Sequence, residues 1–273
     1  MDIGAIVIAA VSLGLLGLIF GVILAFASRA FAVEQDERIP QITECLPGAN
    51  CGGCGYAGCT ALAAAIAEGK APVNACPVGG APSAERIAEI MGVAALASEP
   101  MRACVHCCGT DDAAVKRYRY EGITDCEAVL RLGGGEKACT YACVGLGSCV
   151  RVCQFDALSL KDGVASIDLA KCTGCGQCLT ACPKGLISLI PLSHSYYVGC
   201  SNRDRGGETK KVCKAGCIGC KLCERNCPVG AITVTDNFAK IDYEKCTDCG
   251  LCAEKCPVKI IRKRGEEAPA ESQ

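Results

Sequence analysis

Apolar positions run unbroken through the start of the chain, where Ile3 to Ala27 hold no charged residue. As a helix these positions would span roughly 37 Å at about 1.5 Å per residue, enough to cross a bilayer core with some tilt. A secretory signal is the alternative, because Ala25-Phe26-Ala27 and Ala30-Phe31-Ala32 have the form of cleavage sites. Against it, the apolar run is too long and Asp2, not Lys or Arg, precedes it. Arg29 and Arg38 follow the run, so the positive-inside tendency places the remainder in the cytoplasm. Gly14, Gly17 and Gly21 include one G-x-x-x-G spacing, which lets a second helix approach closely. Beyond the polar stretch Glu34 to Arg38 the pattern breaks into short pieces. A helical pattern covers Thr60 to Glu68, and Ser83 is placed to cap a helix running to about Ser98, with Ile87, Ile90, Met91 and Ala94 on one face. Gly133-Gly134-Gly135 reads as a hinge, and Arg262 to Gln273, charged and proline-containing, as a disordered tail.

Composition changes this picture. The 273 residues include seven Tyr, five Phe, no Trp and 27 Cys, so thiols stand where an ordinary core has aromatic side chains. Several small modules, each too short to bury a sizeable core, suit such a chain better than one large domain. A formal charge of −1 and the lack of a basic tract argue against a nucleic-acid binder. An odd number of cysteines in tight runs points to metal ligation rather than disulfides. Thiolate-bound iron and sulfide need a reducing compartment, which agrees with the cytoplasmic placement.

The first cysteine module reads Leu46-Pro47-Gly48-Ala49-Asn50-Cys51-Gly52-Gly53-Cys54-Gly55-Tyr56-Ala57-Gly58-Cys59, followed later by Cys76-Pro77. Its ligand set is Cys51, Cys54, Cys59 and Cys76. The glycines let the chain wrap closely round a cuboidal cluster and aim amide N–H groups at its sulfurs. Zinc is the weaker alternative, since the paired C-x2-C hooks and the histidine common in zinc sites are missing. Cys45 lies outside the pattern.

Farther on the chain repeats with a period of 74 residues. Cys139, Cys143, Cys149, Cys153, Cys172, Cys175, Cys178 and Cys182 align with Cys213, Cys217, Cys223, Cys227, Cys246, Cys249, Cys252 and Cys256. Each copy is a strand-rich unit, duplicated. The form C-x2-C-x2-C-x3-C-P occurs at Cys172 to Pro183, Cys217 to Pro228 and Cys246 to Pro257.

These runs resemble the bacterial two-cluster ferredoxins, in which three cysteines of a run hold one 4Fe-4S cluster and the fourth reaches across to the other. That resemblance implies one cluster on Cys217, Cys220, Cys223 and Cys256, and another on Cys246, Cys249, Cys252 and Cys227. In the first copy Leu146 stands where Cys220 stands in the second. Cys139 can fill the vacancy, which gives Cys139, Cys143, Cys149 and Cys182 for one cluster and Cys172, Cys175, Cys178 and Cys153 for the other. Cys107, Cys126, Cys200 and Cys213 are the candidates for a sixth cluster, the alternative being free buried thiols. Cys104 and Cys108 receive no role, and His106 and His194 read as surface or supporting residues rather than ligands.

One membrane helix, the Gly-rich cysteine module and then ferredoxin modules together resemble the B subunits of Rnf-type ion-translocating ferredoxin:NAD oxidoreductases. The resemblance extends over nearly the whole chain and implies an α+β architecture. Its parts are a transmembrane anchor (1–28), a linker (29–39), a four-cysteine 4Fe-4S module (40–80) and a helical connector with extra cysteines (81–138). There follow a first ferredoxin-like module (139–192), a connector (193–212), a second ferredoxin-like module (213–261) and the tail (262–273). It implies a single-pass protein of the cell membrane that takes electrons from soluble ferredoxin and relays them through five or six 4Fe-4S clusters to other membrane subunits. The enzyme activity, ion-translocating with Na+ or H+, belongs to the complex, because this chain shows no Walker loop, dinucleotide fingerprint or Ser-His-Asp arrangement. A membrane-anchored polyferredoxin serving a hydrogenase or another reductase would look the same. Five oxidised cubes, each about −2, would bring the holoprotein near −11. Docking of an acidic ferredoxin is expected through Lys210, Lys211, Lys214 and Lys221, or through Lys245, Lys255 and Lys259.

Overall fold

The structure is a computed structural model and describes residues 3–30, 36–95 and 99–265. The tail beyond 265, Ser98 with the two residues before it, and the start of the polar stretch after the first helix (Glu34 and Gln35) lie outside these residues. Helix α1 (Ile3–Ala30) is long and apolar enough to cross a membrane. Among its described side chains, Leu13, Phe20 and Phe26 are exposed.

The Gly-rich module is built on three helices, α2 (Arg38–Cys45), α3 (Cys59–Ala67) and α4 (Gly80–Met91). Ile42, Leu62, Ile66 and Ile87 form its apolar centre and are all but fully buried. The boundary expected at residue 80 therefore cuts through this unit, because α4 supplies Ile87 to the same core. Ser83 does not cap α4. It lies inside the helix and its Oγ donates to the Cys45 carbonyl at 2.8 Å. The helix stops at Met91, short of Ser98, because Gly92 takes a left-handed conformation (φ 65°) that ends the ladder. Cys45 is a core residue of this module.

The duplicated part begins with β1 (Met101–Val105), then α5 (Cys126–Arg131), α6 (Ser148–Arg151), β2 (Leu158–Lys161), β3 (Val164–Ile167), α7 (Gln177–Ala181) and β4 (Ile187–Pro191). The second copy has β5 (Tyr196–Val198), α8 (Gly206–Val212), α9 (Leu222–Arg225), β6 (Ile232–Thr235), β7 (Phe238–Ile241), α10 (Leu251–Glu254) and β8 (Ile261–Lys263). Each copy carries one hairpin, β2–β3 or β6–β7, and one antiparallel pair of distant strands, β1–β4 or β5–β8. The hairpins turn through Asp162-Gly163 and Asp236-Asn237, all four residues at positive φ, which matches the right-handed strand twist. The distant pairs place Val105 opposite Ile187 and Val198 opposite Ile261. Strands β1 and β5 fall in the stretches expected to be connectors, so both ferredoxin-like units start before residues 139 and 213. Their cores are mixtures of cysteine with small or branched side chains, such as Ala157, Leu158 and Val164 in the first and Ile232, Val234 and Ile260 in the second.

Candidate metal centres

Four cysteines converge wherever a cysteine run meets a neighbouring element. In the Gly-rich module, Cys59 opens α3, and its amide donates to Asn50 Oδ1 at 2.8 Å, which closes the loop that carries Cys51 and Cys54. Burial raises the Cys76 thiol, and Cys54 and Cys59 raise it further. These, with Cys51, make the first group.

The second group is Cys153, Cys172, Cys175 and Cys178. Burial and then Cys172 and Cys175 push the Cys178 thiol up to about 12, while burial, Cys51 and Cys153 raise Cys175. The first and second groups are therefore neighbours. Gln177 Nε2 donates to the Cys51 carbonyl across the same junction.

The third group departs from the sequence expectation. One cavity of the first ferredoxin-like unit is lined by Cys126, Cys143, Cys149 and Cys182. Its counterpart in the second unit is lined by Cys217, Cys220, Cys223 and Cys256, the fifth group. Burial pushes Cys149 up to about 11, with Cys143, Cys182 and Cys126 adding to it. Cys126, not Cys139, thus stands where Cys220 stands in the repeat. The hydrogen bonds around α5 hold it there. Asp125 caps the helix by accepting from the Ala128 amide at 2.9 Å, Cys126 N donates to Ser148 Oγ at 2.9 Å, and Arg151 donates to Asp125 at 3.1 Å. Ser148 and Arg151 belong to α6, which carries Cys149, so α5 is tied to the helix of its partner thiol.

Cys139 lies elsewhere. Residues 113–117 run between two other segments, with Val115 N donating to Val212 O (2.9 Å), Lys214 N to Ala113 O (2.8 Å), Ala138 N to Val115 O (2.7 Å) and Arg117 N to Glu136 O (2.8 Å). This arrangement draws Cys139 and Cys213 together. Burial pushes Cys213 up to about 11, with Cys107 and Cys139 adding to it, and burial pushes Cys200 up to about 12, with Cys217 and Cys107 adding to it. Asn202 joins the remaining pair, donating from its amide to Cys200 Sγ (3.4 Å) and from Nδ2 to Cys139 Sγ (3.3 Å). The fourth group is thus Cys107, Cys139, Cys200 and Cys213, with Cys126 absent from it. Its members come from both copies and bridge the two units.

The sixth group contains Cys227, Cys246, Cys249 and Cys252. Burial raises Cys246, as do Asp248, Cys227 and Cys249, and burial with Cys246 and Cys249 pushes Cys252 up to about 11. Cys249 is the exposed cysteine; all the others are buried or half-buried. Along the molecule the groups touch in series. Cys178 faces Cys149, Cys143 N donates to Cys107 Sγ (3.3 Å), Cys217 N donates to Cys200 Sγ (3.3 Å), and Cys252 faces Cys223. Thiols that raise one another's pKa in this way are held as thiolates together only by a cation, so the donor sets fit a sulfur-bound metal cluster.

Known proteins give that metal a family. The chain is 48% identical over 244 residues to the B subunit of the Na(+)-translocating ferredoxin:NAD(+) oxidoreductase complex of Acetobacterium woodii, a match covering 89% of this chain and 73% of the relative. The chain belongs to the Rnf-type B-subunit family. It is also 45% identical to the B subunit of the ion-translocating oxidoreductase complex of Methanosarcina acetivorans, over 84% of this chain and 88% of the relative. Against the B subunit of the proton-translocating ferredoxin:NAD(+) oxidoreductase complex of Clostridium ljungdahlii the identity is 40%, over 84% and 81%. Family models match at residues 46–78 (putative Fe-S cluster), 164–187 (4Fe-4S binding domain) and 216–260 (4Fe-4S dicluster domain). As a member of the B-subunit family, the chain is an iron–sulfur electron-transfer subunit with 4Fe-4S clusters, and its relatives are subunits of an ion-translocating oxidoreductase complex.

Cys104 and Cys108 of this B-family chain join none of the six groups. Cys104 is buried in β1, and burial raises its thiol well above the ordinary range. Burial also raises Cys108, whose thiol lies against Tyr197. His106 is a structural tie, its ring nitrogens 2.8 Å from the Val198 carbonyl and 2.6 Å from Ser188 Oγ. His194 comes together with Cys246 and Asp248, their ligand atoms within 4.8 Å of one another. The roles of Cys126 and Cys139 escaped the reading of the repeat. The signal in the sequence is that Cys139 aligns with Cys213 in the repeat, and these two, unlike the other aligned pairs, meet in one group.

Proposed function

We propose that this chain is a six-step electron relay, anchored in the membrane by α1, that receives electrons from reduced ferredoxin at the sixth group and delivers them through the first group to membrane subunits. Each group would hold one 4Fe-4S cluster, which when bound takes up and releases one electron. The observation that carries the reading is the unbroken series of neighbouring thiol groups from exposed Cys249 to Cys51, in the module that follows α1 along the chain. The six ligand sets are those grouped above. Compared with the ferredoxin scheme, they exchange Cys139 for Cys126 in the third group and assign Cys139 to the bridging fourth. The protein part excludes water from the inner groups, where most thiols are buried, and leaves the sixth accessible to a partner.

The proposed partner surface lies round Cys249. Lys255 and Lys259, farther along the chain from Cys249, are exposed, whereas Lys245 is paired with Asp242 at 3.1 Å. In the other expected patch Lys211 pairs with Glu208 and Lys221 with Glu224, and what favours the first patch is the exposure of Cys249. The Cys-bearing part belongs on the cytoplasmic side, supported by Arg29 at the end of α1 and by the reducing conditions that clusters require. Metal analysis of the anaerobically prepared full chain tests the relay. About 24 irons and no zinc are expected, four for each of six groups, and about 20 would remove one group.

A further inference from the structure

The fourth group differs from the other five in what surrounds its sulfurs. It receives four N–H···S hydrogen bonds of 3.3–3.4 Å, from Cys143 N to Cys107, from Asn202 Nδ2 to Cys139, and from Asn202 N and Cys217 N to Cys200, more than any other group receives among the described residues. Two lysines, one buried and one half-buried, also lie within range of its charge. Lys137 is 6% exposed and its ammonium donates to the Gly163 carbonyl at 2.7 Å. Lys184 donates to the Ala142 carbonyl at 2.8 Å and lines both the third-group cavity and the cleft reached by Cys200. These acceptors are neutral, and the carboxylates of the adjoining pocket, Asp111 and Glu136, pair with Lys116 at 3.1 and 3.2 Å. Lysine buried beside neutral carbonyls is costly unless an anion faces it. Cys139, Cys107 and Cys143 face Lys184, while Cys213 and Cys143 face Lys137.

We propose that Lys137, Lys184 and Asn202 make the bridging group of Cys107, Cys139, Cys200 and Cys213 the most easily reduced of the six, the resting place of an electron on the relay. The inference rests on the six-cluster reading above. Reduction adds one electron and makes the site more negative, from about −2 to about −3. A fixed cation and amide N–H groups aimed at sulfur favour the more negative form, and they work against burial, which disfavours it. The third group also borders Lys184 in its own cavity, but among the described residues it has fewer N–H···S bonds. An electron arriving from the second ferredoxin-like unit would therefore pause at the junction before crossing to the first.

The test is a potentiometric titration of the full-length holoprotein with dithionite as electron donor, followed by electron paramagnetic resonance, with iron counted on every sample. The first signal to appear as the potential is lowered should be missing from Cys139→Ser, with about 20 irons left. In Lys184→Met the reduced-to-oxidised ratio of that signal, read at the wild-type midpoint, should fall about tenfold, equal to about 59 mV for one electron. Iron should stay at about 24, and Lys184→Arg should restore the ratio. Asn202→Leu should shift the same signal in the same direction, and it serves if Lys184→Met loses iron. Survival of the first signal in Cys139→Ser at about 20 irons would overturn the inference and leave the six-cluster reading standing. So would an unchanged ratio in both Lys184→Met and Asn202→Leu at full iron. About 24 irons in Cys139→Ser would instead overturn the ligand set, and the inference with it.

Discussion

The junction between the Gly-rich module and the first ferredoxin-like unit rests on the missing side chain of Gly53. A Cβ there would lie 2.2 Å from the Cys175 carbonyl oxygen and 3.0 Å from its carbon, both backbone atoms that cannot swing aside. Ordinary contact begins near 3.4 Å, so Gly53→Ala must push the two loops apart by about 1.2 Å. Overpacking of this kind costs typically about 1–3 kcal/mol, and the Gln177 bond to Cys51 across the junction would be strained with it. That cost corresponds to a roughly 5–150-fold shift toward the undocked state. Hydrogen exchange on the holoprotein reads it directly. Amides of residues 51–58 and 172–178 should lose protection by that factor, those of α9 and α10 should not, and iron should remain complete. Gly207→Ala is the control, since its Cβ would meet nothing within 4 Å. Reduction of the first group through the second should slow in Gly53→Ala alone. If Gly53→Ala protects residues 51–58 as well as Gly207→Ala does, the close approach does not hold the modules together and the reasoning fails.

Other outcomes follow from the regrouped thiols. Cys126→Ser should lose about four irons, whereas Cys104→Ser and Cys108→Ser should lose none; equal iron in all three would remove Cys126 from the third group. Cys182→Ser should disturb the third group's spectrum and leave that of Cys172, Cys175 and Cys178 intact, although all four belong to one run. Asp125→Ala removes the cap and the tie to Ser148 and Arg151, so a chelator should take iron from the third group faster than from the wild type. Lys255→Glu should slow reduction by ferredoxin several-fold at low ionic strength, and the difference should vanish near 0.5 M salt; a rate indifferent to salt would argue against steering by this face.

The sequence by itself determined whatever is encoded over short spans. Twenty-five uncharged positions form the helix suited to a membrane, and the C-x2-C-x2-C-x3-C runs place three ligands within one tight loop, because spacing alone brings those sulfurs to one point. The 74-residue period likewise announced two equivalent units. Strands β1 and β5 were not legible as parts of those units, since they pair with β4 and β8 at the far end of each copy and a five- or three-residue strand leaves little pattern of its own. Cys126 and Cys139 show the same limit. Cys126 reaches the third group because Asp125, Ser148 and Arg151 fasten α5 to α6. Cys139 leaves that group because residues 113–117 hold it beside Cys213. No local spacing records either contact, and hydrogen bonds between distant segments decide which four thiols meet.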